Sequence, residues 1–368
     1  CHPEPDIKNG PGGLRDYHNA LWATAVRYGC HSLREINEAQ VPLSQPEIES
    51  LYHSVDFSLR VRNELHYLTE KKTDTLTFDI QKQLATHLGY TSSNTGQPVE
   101  EFMHDYYLHA TNIHNFSQNL FEHCRQTNRS LKKVISSLTK KSVGHGFHIS
   151  DSALTYSDDA KEDFRADKSL LLTALELCRK YQVTPDYKLR RQMRLSKNLV
   201  NQQFMQGQEV RNFLFSVLED TTAEKTLRLM HETHILEQVL PEFGLAHCKV
   251  NYDFYHRYTA DEHSLRIIRF LDELASASIT NPTDLATLYQ DYPGKEILKL
   301  SALLQSAQKI DNNNLSHQGV MKSLAERLAL GDKDAKNLQF FMDNPYTLID
   351  TALHQDIHQP AVVRKFAD

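Results

Sequence analysis

Apolar residues recur three and four positions apart along most of this chain, the spacing of a one-faced α-helix. Leu14, Tyr17, His18, Leu21, Trp22 and Ala25 follow the first glycines in that pattern. Val99, Phe102, Met103, Tyr106, Tyr107, Ala110, Ile113, Leu120 and Phe121 form a longer stripe, in which the Tyr106-Tyr107 pair reads as core packing. SVDFSLRVRNELHYL predicts another helix, with Arg60, Arg62 and Glu64 on its solvent side. VRNFLFSVL, the run from Leu227 to Leu240, HSLRIIRFLDEL, EILKLSALL and VMKSLAERLAL repeat the same period downstream.

One segment departs from it. In GFHISDSALTYS, Phe147 and Ile149 alternate with polar residues, and Leu154 and Tyr156 do so again after Ser-Asp-Ser. That predicts a β-hairpin or two-stranded flap. It follows the basic stretch RSLKKVISSLTKK, which puts a domain boundary near residues 130–160. LGYTSSNTGQP and ASITNPT read as loops. The expected fold is mainly α, with two helical blocks joined by a small β element.

Composition adds limits. With 368 residues, 40% hydrophobic and 24% charged, the chain can fold around two or three cores. A net charge of -6 argues against a general binder of nucleic acid. LLLTALEL is too short to span a bilayer, and no charged-then-apolar leader is visible. Five cysteines (Cys1, Cys30, Cys124, Cys178 and Cys248) form no C-x-x-C pair, which fits free thiols and a cytoplasmic setting. The start at Cys1 and the stop at RKFAD, within a helical stretch, suggest a piece of a longer polypeptide.

The opening CHPEPDIKNGPGGLRD has the richest local chemistry. Strand-like alternation over Pro5–Lys8 would put Asp6 and Lys8 on one face. Gly10, Gly12 and Gly13 permit a tight turn and close approach of a ligand to the backbone. The N–H groups of the helix that follows could then face an anion, with Lys8 and Arg15 as cationic partners of phosphate. Asp6 or Asp16 could hold a divalent metal. Against this stands a plainer reading, in which the glycines only turn the chain into a helix and Asp16 favours its dipole.

EPDIKNGPGGLRDYHNALW resembles the segment that leaves the nucleotidyltransferase core in the bifunctional PII uridylyltransferase/uridylyl-removing family. The resemblance continues through VRNELHYLTEKKTDTLTFDIQKQLATHLGY, VEEFMHDYYLHAT and LPEFGLAHCKVNYDFYHRYTADEHSL, in the family's order. GPGG-x-R alone is shared with glutamine synthetase adenylyltransferases, which are not expected to carry the YTADEH helix. The resemblance implies a protein of nitrogen signalling that moves UMP from UTP onto PII with magnesium, and removes it again. It also implies four segments: a strand and loop remnant of the transferase core over 1–20, a helical flank over 21–130, a linker with the hairpin over 131–160, and a helical HD-type domain over 161–368.

Two family motifs are altered or missing. Members carry G-S-x-x-x-G followed by a magnesium-holding D-x-D pair. The only D-x-D here, Asp332-Lys333-Asp334, opens a helical run and reads as helix-dipole chemistry. The transferase chemistry is therefore expected upstream of Cys1, with Asp6, Lys8, Arg15 and Asp16 as remnants. In TADEHSLRIIRF, His263 matches the first HD ligand, with His256 and Asp261 just before it. The family's A-L-L-H-D-I-x-K reads Ala302-Leu303-Leu304-Gln305-Ser306-Ala307-Gln308-Lys309, so Gln305 and Ser306 replace the His-Asp pair. His317 matches a later ligand, and a further His pair corresponds to Asn344-Pro345. An amide and a hydroxyl lack the charge and basicity of that pair. The expectation is a degenerate hydrolase site, no tightly held metal, and PII with UTP or UMP as partners of the parent protein. The competing expectation is an inactive scaffold that binds PII or a nucleotide.

Other features carry less. His231 and His234 in HETH lie one helical turn apart and read as a chance pair; the spacing is not the H-E-x-x-H of zinc proteases. Arg179, Lys180, Lys188, Arg190, Arg191, Arg194 and Lys197, near Tyr181 and Tyr187, read as a solvated face or an interdomain contact.

Overall fold

The computed structural model describes residues 3–32, 35, 43–91, 97–127, 141–150, 152–157, 167–196, 204, 207–250, 258–276, 283–308, 317–356 and 358–367. It is mainly helical with one small sheet, as the periodicity predicts. The chain forms two compact units: residues 1–201 with 228–263, and residues 202–227 with 264–368.

The first unit begins with α1 (Leu14–Tyr28), α2 (Gln45–Thr69), α3 (Phe78–His87) and α4 (Pro98–Thr127). The 30-residue α4 is the spine, against which α1, α2 and α3 all pack. Its predicted stripe is the observed one: Phe102, Met103, Ile113 and Leu120 are almost wholly buried, together with Leu51, Val61 and Leu65 of α2. On α1 the buried residues are Leu14, Ala20 and Thr24, and Trp22 is 65% exposed. The reason is rotational: at 100° per residue Trp22 falls off the face shared by Leu14, Tyr17 and Leu21. Arg62 and Glu64 are also less solvated than expected, since Arg62 Nε lies 2.6 Å from Asp74 Oδ1 and Glu64 Oε1 lies 2.9 Å from His87 Nδ1.

Next come β1 (Lys141–Gly144), β2 (Phe147–Ser150), β3 (Ala153–Tyr156), α5 (Ser169–Tyr181), β4 (Thr184–Pro185) and α6 (Tyr187–Ser196). The predicted hairpin is present, with Phe147 opposite Tyr156 and Ile149 opposite Leu154. β1 and β4 extend it to four strands, ordered β1-β2-β3-β4, and β3 and β4 run parallel. Phe147 and Leu154 are fully buried. LLLTALEL lies in α5, where Leu170, Leu171, Ala174 and Leu175 are buried. The basic residues of α6 point to acids and an amide: Arg191 Nη2 lies 2.7 Å from Glu47 Oε2, and Arg194 Nη2 donates to Asn119 Oδ1 at 2.9 Å. RSLKKVISSLTKK lies outside the described residues except for its last position.

Further helices are α7 (Gln208–Glu219), α8 (Ala223–Glu232), the single turns α9 (Leu236–Val239) and α10 (Pro241–Gly244), and α11 (Ala260–Ala275). The chain ends with α12 (Thr283–Asp291), α13 (Lys295–Gln308), α14 (His317–Leu328), α15 (Asp332–Asp343), α16 (Thr347–His354) and α17 (Pro360–Ala367). In the second unit α13 packs on both α7 and α15, burying Ile297, Leu300, Leu303 and Leu304. Asp332 and Asp334 occupy the first turn of α15, where acids offset the helix dipole. No described helix is long and apolar enough to cross a membrane.

Candidate functional site

The glycine-rich opening folds as a turn closed on itself. Pro5–Lys8 forms no strand; a single bridge joins Asp6 to Thr75, and a turn follows. Asp6 Oδ1 accepts from the N–H groups of Lys8 at 2.9 Å and Asn9 at 2.7 Å, and Oδ2 accepts from Asn9 Nδ2 at 3.0 Å. The side chain thus shapes the bend locally, as aspartates in such turns do.

The glycine amides are used in the same way. Gly10 N–H donates to Asp6 O, Gly13 N–H to Gly10 O, and Gly12 N–H to Asp16 Oδ2 at 2.8 Å. Leu14 and Arg15 donate to the carbonyls of Ile7 and Lys8, so the entry to α1 is satisfied from within the chain. Gly12 has φ +74°, and a Cβ there would lie 2.0 Å from Ala110 O on α4. Its bare backbone lets the loop dock against α4.

A second group of polar residues assembles farther along, within the same unit. α8 ends in a Schellman arrangement: His234 N–H donates to His231 O and Ile235 N–H to Met230 O, with His234 at φ +58°. This reversal takes His234 off the helix, so HETH does not act as an i, i+3 ligand pair. His231 instead meets residues from two later segments. Its Nδ1 lies 2.6 Å from Glu237 Oε1, and its Nε2 lies 3.3 Å from Asp261 Oδ2. His247 Nδ1 stands 3.2 Å from the same Asp261 oxygen. The two imidazole rings meet edge to face, with centroids 5.2 Å apart.

Asp261 sits in the first turn of α11 with its side chain 5% exposed. Oδ1 accepts from Glu262 N–H at 2.8 Å, and Oδ2 from Cys248 N–H at 2.9 Å. Burial would raise its pKa, but the His231 and His247 rings and Thr259 outweigh that and hold the carboxyl well below the usual range. Burial likewise opposes charge on His231. Asp261 and Glu237 overcome it and push the imidazole up to about 10.

His231, His247 and Asp261 border a cavity of about 780 Å³, lined also by Arg190, Arg194 and Arg228. Arg228 Nη1 donates to Glu262 Oε2 at 2.8 Å, and Arg190 Nη1 lies 3.8 Å from Glu232 Oε2. Burial lowers the pKa of Arg194, and the neighbouring charge of Arg190 adds to that. The cavity therefore sets imidazoles and several carboxylates, Asp261 among them, beside three guanidinium groups.

Of the residues matched to the HD motif, His263 shares α11 with Asp261, and the others lie later in the chain. His263 is half-buried on α11 and donates its N–H to Thr259 O at 2.8 Å. Gln305 is partly buried on α13 of the second unit, just after the buried Leu303 and Leu304. The side chains of Ser306 and His317, and all of His256, lie outside the described residues. Asn344 closes α15: its Nδ2 donates to Phe340 O at 2.9 Å, and its Oδ1 accepts from Thr347 Oγ1 at 3.1 Å.

The chain is mainly helical, with a glycine-rich turn leading into α1 and the YTADEH stretch entering α11. Comparison with known proteins is more specific. Residues 1–121 match the family model described as GlnD PII-uridylyltransferase. A bifunctional uridylyltransferase/uridylyl-removing enzyme of a Bradyrhizobium species is 27% identical over 376 residues, covering 99% of this chain and 40% of the relative. Proteins of the same name from Rhodospirillum rubrum and a Psychrobacter species are 27% and 29% identical, each over 99% of the chain. The likeness read from the sequence is thus shown: the chain is a relative of these enzymes from end to end. It spans about 40% of the length of the curated relatives it matches.

Sequence reasoning noted His231 and Asp261 separately and missed His247 and Glu237. The four are spread over some thirty positions, and no local spacing joins them. The only signal was a density of histidines between His231 and His263.

Proposed function

We propose that this chain supplies the helical flank of the nucleotidyltransferase and a degenerate HD-type portion to a PII uridylyltransferase-like protein. In that protein, UMP passes from UTP to PII with magnesium, in a cytoplasmic nitrogen-signalling role. The observation that carries this reading is the likeness over 99% of the chain to enzymes bearing that name.

Local geometry supports a structural role for the glycine-rich opening. The oxygens of Asp6 and the amides of Gly10, Gly12 and Gly13 are committed to the turn itself. These bonds support reading Asp6, Lys8, Arg15 and Asp16 as parts of the turn and its exit into α1 rather than as a magnesium or phosphate site. Gln305, standing in the frame of the family's His-Asp pair, supports loss of the removing activity. Incubating the full-length protein with UTP, magnesium and PII tests the proposal. UMP incorporation into PII is expected, and its absence overturns the transferase reading. The 368-residue chain itself should neither add UMP to PII nor release it.

The replacement of both His-Asp positions favours a second reading, a scaffold that binds PII or a nucleotide without turnover. Calorimetric titration of the chain with PII and with UTP tests it, and heat-silent titrations with both remove it.

A further inference from the structure

We infer that His231, His247 and Asp261 form a binding site for a divalent transition-metal ion of the zinc class, with Glu237 orienting His231. The site is independent of the functional reading above. It also departs from the sequence-based expectation that this chain holds no metal tightly.

Four observations carry the inference. First, one atom from each of the three residues lies within 4.8 Å of the others. Second, the His231 Nε2 and His247 Nδ1 separations from Asp261 Oδ2 are 3.3 and 3.2 Å. Ligand atoms about 2.0–2.1 Å from a tetrahedral ion stand ~3.3 Å apart, so one ion can bond both members of each pair. Third, His247 Nδ1 is buried and makes no hydrogen bond although it faces that carboxylate, and a buried polar atom left so demands a partner. Fourth, Glu237 Oε1 lies 2.6 Å from the far nitrogen of His231. A carboxylate behind an imidazole fixes which nitrogen faces the ion and raises its basicity.

The donor set chooses the class of ion. Two imidazoles and one carboxylate suit zinc, cobalt or nickel, whereas magnesium and calcium call for oxygen ligands throughout. Cys248 N–H takes one lone pair of Asp261 Oδ2 and leaves the other for an ion. Three protein ligands leave a fourth position open to the arginine-lined cavity.

The test is metal uptake by the 368-residue chain. After incubation with Zn²⁺ or Co²⁺ and gel filtration, elemental analysis should give one ion per chain, and Co²⁺ should produce the visible absorption of a tetrahedral site. H231Q and H247Q should each abolish that equivalent, and H263A and H114A should keep it. E237Q, which retains the shape of the side chain, should weaken Co²⁺ binding about 10- to 100-fold without loss of helical circular dichroism. This milder variant decides the matter if H231Q fails to fold. The proposal is overturned if the chain takes up neither ion, if E237Q binds Co²⁺ like the parent, or if H263A rather than H247Q removes the ion.

Discussion

Lys299 Nζ lies 2.7 Å from Asp272 Oδ1, and the lysine side chain is 1% exposed. The ammonium also donates to Asp220 O at 2.6 Å, while Asp272 Oδ2 accepts from Glu224 N–H at 2.8 Å. Burial pushes the Asp272 carboxyl up, against the pull of Glu224 N–H and Lys299. Removing the lysine would strand this carboxylate. Lys299→Met should cost roughly 3–5 kcal/mol in urea unfolding. Asp272→Asn in the same chain should recover a large part of that loss, because no uncompensated charge then remains.

Gly12 and Gly29 both have positive φ but differ in surroundings. A Cβ on Gly12 would run into Ala110 O, whereas one on Gly29 would meet nothing within 4 Å. Gly12→Ala should therefore cost roughly 2–5 kcal/mol, combining backbone strain and overpacking. Gly29→Ala should cost only the strain, about 1–2 kcal/mol. Thermal unfolding of both variants separates the two effects.

Glu47 gives a pH dependence with a definite sign. Burial would raise its carboxyl, but the Arg191 guanidinium and the hydrogen bonds from Ser44 outweigh it and hold the pKa below the ordinary glutamate value. A proton then binds the unfolded chain more tightly than the folded one. The stabilisation is complete above the unfolded value and vanishes as pH falls through the folded value. Glu47→Gln should lose up to about 1 kcal/mol at neutral pH, since the pair is partly exposed. The variant should approach the parent in stability as the solution is acidified below that value, as followed by urea unfolding across pH.

Cys178 is buried on α5, and burial pushes its thiol up to about 12. The thiolate is the reactive form. In the native chain at pH 8, iodoacetamide should leave the Cys178 peptide unmodified, and denaturant should expose it to full labelling by mass spectrometry.

The long helices were legible because burial on one side imposes a period that few other structures share. The stripe from Val99 to Leu120 needed only its own spacing, and the Phe147–Tyr156 hairpin only its alternation. The two-residue β4 has no periodicity to read. The strand expected at Pro5–Lys8 failed because Asp6 bonds the amides of Lys8 and Asn9, an option that alternation ignores. The histidine–aspartate group stayed hidden for a different reason. Its members meet only after α8 reverses at His234 and the chain returns at α11.

The first unit is sewn from two lengths of chain with a length of the other unit between them. Cys248, from the later length, is buried in the same core as Ile7, Leu14 and Tyr107, and its sulfur lies 3.9 Å from Thr111 Oγ1. A gene cut after residue 121, where the family match stops, or after residue 201 would leave that seam open. A miniaturised version must instead splice 228–263 back onto the earlier length through a designed bridge.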